Sequence, residues 1–125
     1  MKLRIRGDSV RLRLARGEVA QLLEAGVVED LTRFPGGGAF HYCLSTDAGA
    51  PGIAASFAGA RLTVSIPSAL ALAWGRSDEV GIRAVLPVGG NELAVLIEKD
   101  FPCPTGRPGE DDSDAFPVQR GDTKC

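Results

Sequence analysis

The first strand pair constrains this chain most, because its pattern occurs twice. Leu3-Arg4-Ile5-Arg6-Gly7-Asp8-Ser9-Val10-Arg11-Leu12-Arg13-Leu14 alternates charged and apolar residues around a Gly-Asp pair. A period of two belongs to strands with one buried face, and Gly at the first of two turn positions suits a type II′ hairpin. That register sets Ile5 against Val10 and Leu3 against Leu12 on one face. It sets Arg4 against Arg11 and Lys2 against Arg13 on the other. Fifty-two residues later, Ala55-Ser56-Phe57-Ala58-Gly59-Ala60-Arg61-Leu62-Thr63-Val64-Ser65-Ile66 repeats the layout, with Phe57 for Ile5 and Gly59 for Gly7.

Each hairpin runs into a short helical segment. Arg16 to Ala25 carries Val19, Leu22 and Leu23 on one stripe and stops at Gly26. The second segment begins at Pro67, a good first-turn residue, with Leu70 and Trp74 four apart before a second stop glycine, Gly75. Two extended segments follow each helix. They are Val27–Phe34 and Ala39–Ser45 around Pro35-Gly36-Gly37-Gly38, then Glu79–Leu86 and Glu92–Lys99 around Pro87-Val88-Gly89-Gly90-Asn91. The expected fold is mainly β (α+β): duplicated ββαββ units, 1–47 and 53–100, forming one pseudo-twofold β-barrel domain over 1–100. Two short helices cap it, and an acidic Pro/Gly-rich tail occupies 101–125.

The second unit resembles the swapped-hairpin module of AbrB-type transition regulators and MazE-type antitoxins. Leu62-Thr63-Val64-Ser65-Ile66-Pro67, a helix to Trp74-Gly75, then Asp78-Glu79-Val80-Gly81-Ile82 and Leu93-Ala94-Val95-Leu96-Ile97 carry the likeness. Ser77-Asp78 stands where that family has Gly-Asp, and the first unit has Ala15 in place of the proline. The resemblance implies a barrel of interleaved hairpins, with both halves supplied by one chain. It also implies DNA contact through basic residues of the first hairpin, here Lys2, Arg4, Arg6, Arg11 and Arg13, and a toxin-wrapping tail. The matching positions of the second unit are Ala54, Ser56, Ala58, Thr63 and Ser65, none of them basic. The whole chain is similar to a family of small uncharacterised bacterial proteins, a domain of unknown function. The residues concerned are Met1-Lys2-Leu3-Arg4-Ile5-Arg6-Gly7, Ile66-Pro67, Ser77-Asp78-Glu79-Val80-Gly81, Glu98-Lys99-Asp100-Phe101-Pro102-Cys103 and Gly109 to Pro117. That likeness implies no activity.

Charge distribution narrows the function. The total is −2, yet residues 1–16 hold six cations against Asp8 alone, a balance of +5, which leaves −7 for the rest. Glu110-Asp111-Asp112-Ser113-Asp114 packs four carboxylates into five positions. An isoelectric point near 5.4 argues against a general polyanion binder but leaves room for a local basic face. Such a face, Lys2, Arg4, Arg6, Arg11 and Arg13, is a solvated sheet surface, a platform for the chain's own acidic run, or a contact for protein or nucleic acid.

Three scattered cysteines do not read as a disulfide framework, and the N-terminus lacks the apolar block of a secretory signal. No run approaches 18 apolar residues. A cytoplasmic protein without a membrane span is expected. His41 and Cys43, two apart on a strand, leave the same face, and Cys103 and Cys125 complete a candidate N/S ligand set for zinc or copper. The competing account makes Cys43 a small buried hydrophobe and His41 a rim residue. Nucleophile-elbow, Walker and dinucleotide-binding motifs are absent from the sequence. The expectation is a non-enzymatic accessory protein with no required cofactor, monomeric or homodimeric, meeting a protein partner through the basic hairpin and acidic tail. A DNA-binding regulator or antitoxin and a small metal-binding protein are the alternatives.

Overall fold

A computed structural model describes residues 1–101. Strands β1 (Lys2–Ile5) and β2 (Ser9–Leu14) lead to helix α1 (Arg16–Ala25) and strands β3 (Val27–Arg33) and β4 (Ala39–Asp47). Strands β5 (Ala54–Ala58) and β6 (Arg61–Pro67) lead to helix α2 (Ser68–Gly75) and strands β7 (Gly81–Val88) and β8 (Asn91–Lys99).

The first hairpin keeps the register that alternation dictates: Lys2↔Arg13, Leu3↔Leu12, Arg4↔Arg11 and Ile5↔Val10. Its turn has positive φ at Gly7, 53°, and not at Asp8, as a type II′ turn requires. The turn of β5 and β6 differs, because Gly59 and Ala60 both stand at φ 58°. Positive φ at both central residues is the type I′ pattern, and Ala60 carries a Cβ into it.

Helix α1 begins without a side-chain oxygen at its cap, since Ala15 has none to offer. Glu18 supplies half of a capping box by accepting from the Ala15 N–H at 2.9 Å. Gly26 ends the helix at φ 81°, its N–H donating to the Leu22 carbonyl at 2.9 Å. Gly75, expected to stop α2, is its last residue, with Arg76 at the cap. A Cβ there would sit 2.7 Å from Leu23 Cδ1, so this glycine provides room for α1 against α2. Strand β7 runs through Pro87 and Val88 to a two-residue Gly89-Gly90 turn, longer than expected. A proline is tolerated there because β7 lies at a sheet edge.

The hairpins assemble into two four-stranded sheets, ordered β1-β2-β8-β7 and β3-β4-β6-β5. Each sheet takes one hairpin from each half of the chain. The central contacts are parallel, from Ser9↔Ala94 to Leu14↔Lys99 in one sheet and from His41↔Arg61 to Asp47↔Pro67 in the other. Neither sheet closes, which corrects the expected barrel: β1 and β7 bound one sheet, β3 and β5 the other. The edge strands β1 and β5 have only four and five residues. The apolar faces of both sheets already meet, with both helices, in one core, so burial needs no further pairing.

That core takes Val10, Leu12 and Leu14 from β2, Val95 and Ile97 from β8, and Leu62, Val64 and Ile66 from β6. Leu44 of β4, Leu22 of α1 and Trp74 of α2 are fully buried. Each such aliphatic side chain contributes about 1.5–3 kcal/mol on leaving water. The Trp74 Nε1–H is satisfied by the Val80 carbonyl at 3.2 Å. Among the described residues, no helix is long and apolar enough to cross a membrane.

Ala60 gives a direct check of the second turn. Replacing Ala60 with Gly relieves a left-handed Cβ and is expected to stabilise the fold by about 0.5–1 kcal/mol, read from the urea midpoint. An unchanged or lowered midpoint would contradict the type I′ geometry.

Candidate functional site

Strand parity carries the cations to the side of the first sheet away from the core. The registers define two adjacent rows across four strands: Lys2–Arg13–Glu98–Gly81 and Arg4–Arg11–Leu96–Arg83. These rows hold five cations and one carboxylate. Four of the five predicted cations lie in them, while Arg6 sits at the exposed hairpin tip. Arg83, not singled out in the sequence, completes the second row from the far edge strand.

The face is less open than the expectation of a solvated ribbon. Arg11 and Arg13 side chains are only 12% and 14% exposed, whereas Lys2 is 70% exposed. Opposed like charges within a hairpin repel. Glu98 lies between the two arginines, 3.1 Å from Arg11 Nε and 3.7 Å from Arg13 Nε. Asp100 takes Lys2 Nζ at 2.7 Å. Lys2 is largely solvated in this pair, so its contribution is at most about 1 kcal/mol. Glu98 has room because Gly81 is its cross-strand neighbour. A Cβ at Gly81 would meet Glu98 Cγ at 2.9 Å and the Ile97 carbonyl at 3.0 Å. The acidic run Glu110–Asp114 lies outside the described residues.

His41 and Cys43 do share the outer face of β4. Cross-strand rows place His41 between Leu31 and Arg61, and Cys43 between Glu29 and Thr63. Cys43 is a buried free thiol. Burial pushes its pKa up, the Arg61 charge opposing this and Glu29 adding to it. A thiol held protonated is a poor nucleophile and a poor ligand until it loses its proton. Arg61 is engaged with Glu29 at 2.7 Å. Among the described residues no group of three or more His, Cys, Asp and Glu side chains converges on a metal position. Cys103 and Cys125 lie outside the described residues.

A cleft of about 620 Å³ opens between α1, the end of α2 and the end of β8. Leu14, Val19 and Leu23 line it with Arg16, Asp78 and Lys99. Lys99 is already committed: its Nζ donates to the Ser77 carbonyl at 2.6 Å and lies 5.7 Å from the Trp74 ring centre.

Comparison with known proteins adds a family. The family model described as "Family of unknown function (DUF7009)" matches residues 1–120. The chain belongs to that family. No curated protein and no solved structure matches it. Membership brings no activity, so function has to be argued from the faces just described.

A second charged cluster ties the start of the chain to the core. The Met1 amino group hydrogen-bonds Glu18 and lies 3.4 Å from Asp30, while Tyr42 Oη donates to the Met1 carbonyl at 3.1 Å. Burial lowers the pKa of that amino group, but Glu18 and Asp30 outweigh it and hold the value above the ordinary 8.0. Burial also raises Tyr42, helped by the same two carboxylates.

Two outcomes follow from this electrostatics. Glu98→Gln removes the carboxylate charge that Arg11 and Arg13 share on the outer face of β2. It is expected to lower stability by about 1–2 kcal/mol, with the loss shrinking at high salt. A salt-independent or absent loss in urea titrations would contradict that role. For the amino group, the folded pKa exceeds the unfolded one, so its stabilisation is complete below pH 8 and disappears as pH rises through the folded value. Tyr42 and Cys43 retain protons in the folded state that the unfolded chain sheds at alkaline pH, which acts in the same direction. The urea midpoint should therefore fall above about pH 8. A midpoint that rises between pH 8 and 10 would overturn the assignment.

Proposed function

We propose that this chain is a non-enzymatic binding protein whose first sheet takes an acidic segment of a protein partner. One observation carries this reading: the row Arg4–Arg11–Leu96–Arg83, with Lys2 and Arg13 beside it. Its charge comes from β1, β2 and β7, three strands from opposite ends of the chain. The fold does not need it, because none of these side chains belongs to the core. A strip of guanidinium groups flanking one leucine suits carboxylates set along an extended peptide, each group offering forked donors. A cytoplasmic setting is part of the same proposal, supported by the buried free thiol of Cys43.

The proposal takes the chain to be a fused duplication, with each half standing for one member of an AbrB-like pair. The hydrogen-bond register supports this. Adding 52 to the β2 number and subtracting 53 from the β8 number turns Ser9↔Ala94 into Arg61↔His41, the first pair of the other parallel contact. The next five pairs follow the same rule. The loop bonds also correspond: Ala94 N–H to the Asp8 carbonyl and His41 N–H to the Ala60 carbonyl, both 2.9 Å.

Titration with a fluorescein-labelled glutamate decamer at low ionic strength tests the binding face. Binding should weaken steeply with salt, and Arg4→Ala with Arg83→Ala should weaken it about tenfold, equivalent to ~1.4 kcal/mol. Absence of binding, or affinity indifferent to both substitutions, overturns the proposal. Tighter, substitution-sensitive binding to a short DNA duplex would overturn it in favour of the DNA-binding regulator. One equivalent of zinc or copper in purified protein, lost on Cys43→Ser, would support the metal reading instead.

A further inference from the structure

We infer that the end of the molecule formed by the four hairpin turns is a self-association surface, and that its occupant is a second copy of this chain. The parallel seams begin at Ser9↔Ala94 and His41↔Arg61, directly after the turns, so the two turns of each sheet lie side by side. The helices follow the far ends of β2 and β6 and pack on each other there, Leu23 against Gly75. All four turns therefore share the opposite end. This end is distinct from the outer face that carries the basic rows, so the inference stands without that reading.

Every hairpin brings one large apolar side chain to its turn, and each is more than half exposed: Ile5 58%, Phe34 55%, Phe57 64% and Val88 53%. Strand parity puts all four on the inner side of the sheets. Ile5 stands opposite buried Val10 and Phe57 opposite buried Leu62, while Phe34 and Val88 are an even number of residues on from buried Val28 and Ile82. They stay exposed because each lies on an edge strand, or directly after one, where the sheet stops. Phe40, Leu86 and Leu93 are partly buried against the core and connect it to this mouth. Phe57 stacks on Phe40, with ring centres 5.9 Å apart.

Charge and symmetry identify the occupant. Arg6, Asp8, Arg33 and Glu92 stand at or beside the turns, all exposed. None of the four has an ion-pair partner among the described residues. Two cations and two carboxylates sum to zero, which gives a strongly acidic or basic partner no net attraction. A second copy brings each sign to meet the other. The apolar positions are also two equivalent pairs. Ile5 and Phe57 precede corresponding turn glycines, Gly7 and Gly59, and Phe34 and Val88 are equally far from the first pairs of their hairpins, Val27↔Ser45 and Gly81↔Glu98. A patch of equivalent halves with a neutral mixed rim suits an isologous contact. An aromatic side chain buries about 150–250 Å², so the four half-exposed groups offer roughly 400 Å² per copy. Two copies with their charged rims then approach the ~1,200 Å² at which small specific interfaces begin.

Sedimentation velocity on the full chain tests this. The unaltered protein should pass from monomer to dimer with a midpoint of about 10–100 µM, as a small interface allows. Phe57→Ser and Phe34→Ser, at exposed positions, should each weaken the dimer at least about tenfold while leaving the urea midpoint nearly unchanged. A second pair of variants needs no apolar change. Arg6→Glu with Arg33→Glu makes the rim wholly acidic, and Asp8→Lys with Glu92→Lys makes it wholly basic. Each should be monomeric at low salt, and an equimolar mixture of the two should recover the dimer. A chain that stays monomeric at about 200 µM overturns the inference. So does a dimer indifferent to Phe57→Ser and Phe34→Ser, or a mixture of the two charge variants that remains monomeric.

Discussion

Both sheets depend on parallel pairing between distant parts of the chain, β2 with β8 and β4 with β6. A hairpin buries one face only if another layer covers it, and a two-stranded ribbon is barely stable alone. The parallel seams widen each pair of hairpins into a four-stranded sheet and bring the two halves of the chain into the same layer. Neither half can therefore complete a sheet without the other. Leu12 and Ile97, opposed across one seam, and Leu44 and Val64, opposed across the other, are all fully buried or nearly so. The two helices then cover the end of the core where β2 and β6 run out.

Local features were legible where local physics decides them. Alternation around Gly7 determined the register of the first hairpin to the residue, and period two put Arg4, Arg11 and Arg13 opposite the apolar face. The same argument placed His41 and Cys43 together on one side of β4. Long-range choices were hidden. Which strands pair in parallel depends on how two hairpins meet in space, so neither the open edges nor the Glu98 contact followed from spacing. Arg83 was missed for that reason: an arginine within a strand is ordinary until the register sets it beside Arg4 and Arg11. Gly75 ends α2 as a glycine after an apolar helix suggests, but that its missing side chain admits Leu23 of the other helix is invisible in the spacing.

The contrast between the two outer faces separates what the fold requires from what it leaves free. The second sheet sets Glu29, Cys43, Thr63 and Ser56 in one row and Val27, Ser45, Ser65 and Ala54 in the next. These are mostly small residues, with Glu29 as the one charge, which is held by Arg61. The corresponding rows of the first sheet hold five cations. Both sheets have the same strand count, the same parallel seam and the same kind of apolar inner face, so backbone and core demands are alike. Opposed like charges in one hairpin cost stability, and hairpin formation alone gives no reason to retain Arg4 across from Arg11. The second hairpin keeps the same register through a different turn, with Ser56 across from Thr63. The second sheet thus builds a four-stranded layer of the same order of connection with neutral residues at the matching positions. The cations on the outer rows of the first sheet are thus not a requirement of strand count, seam or inner face.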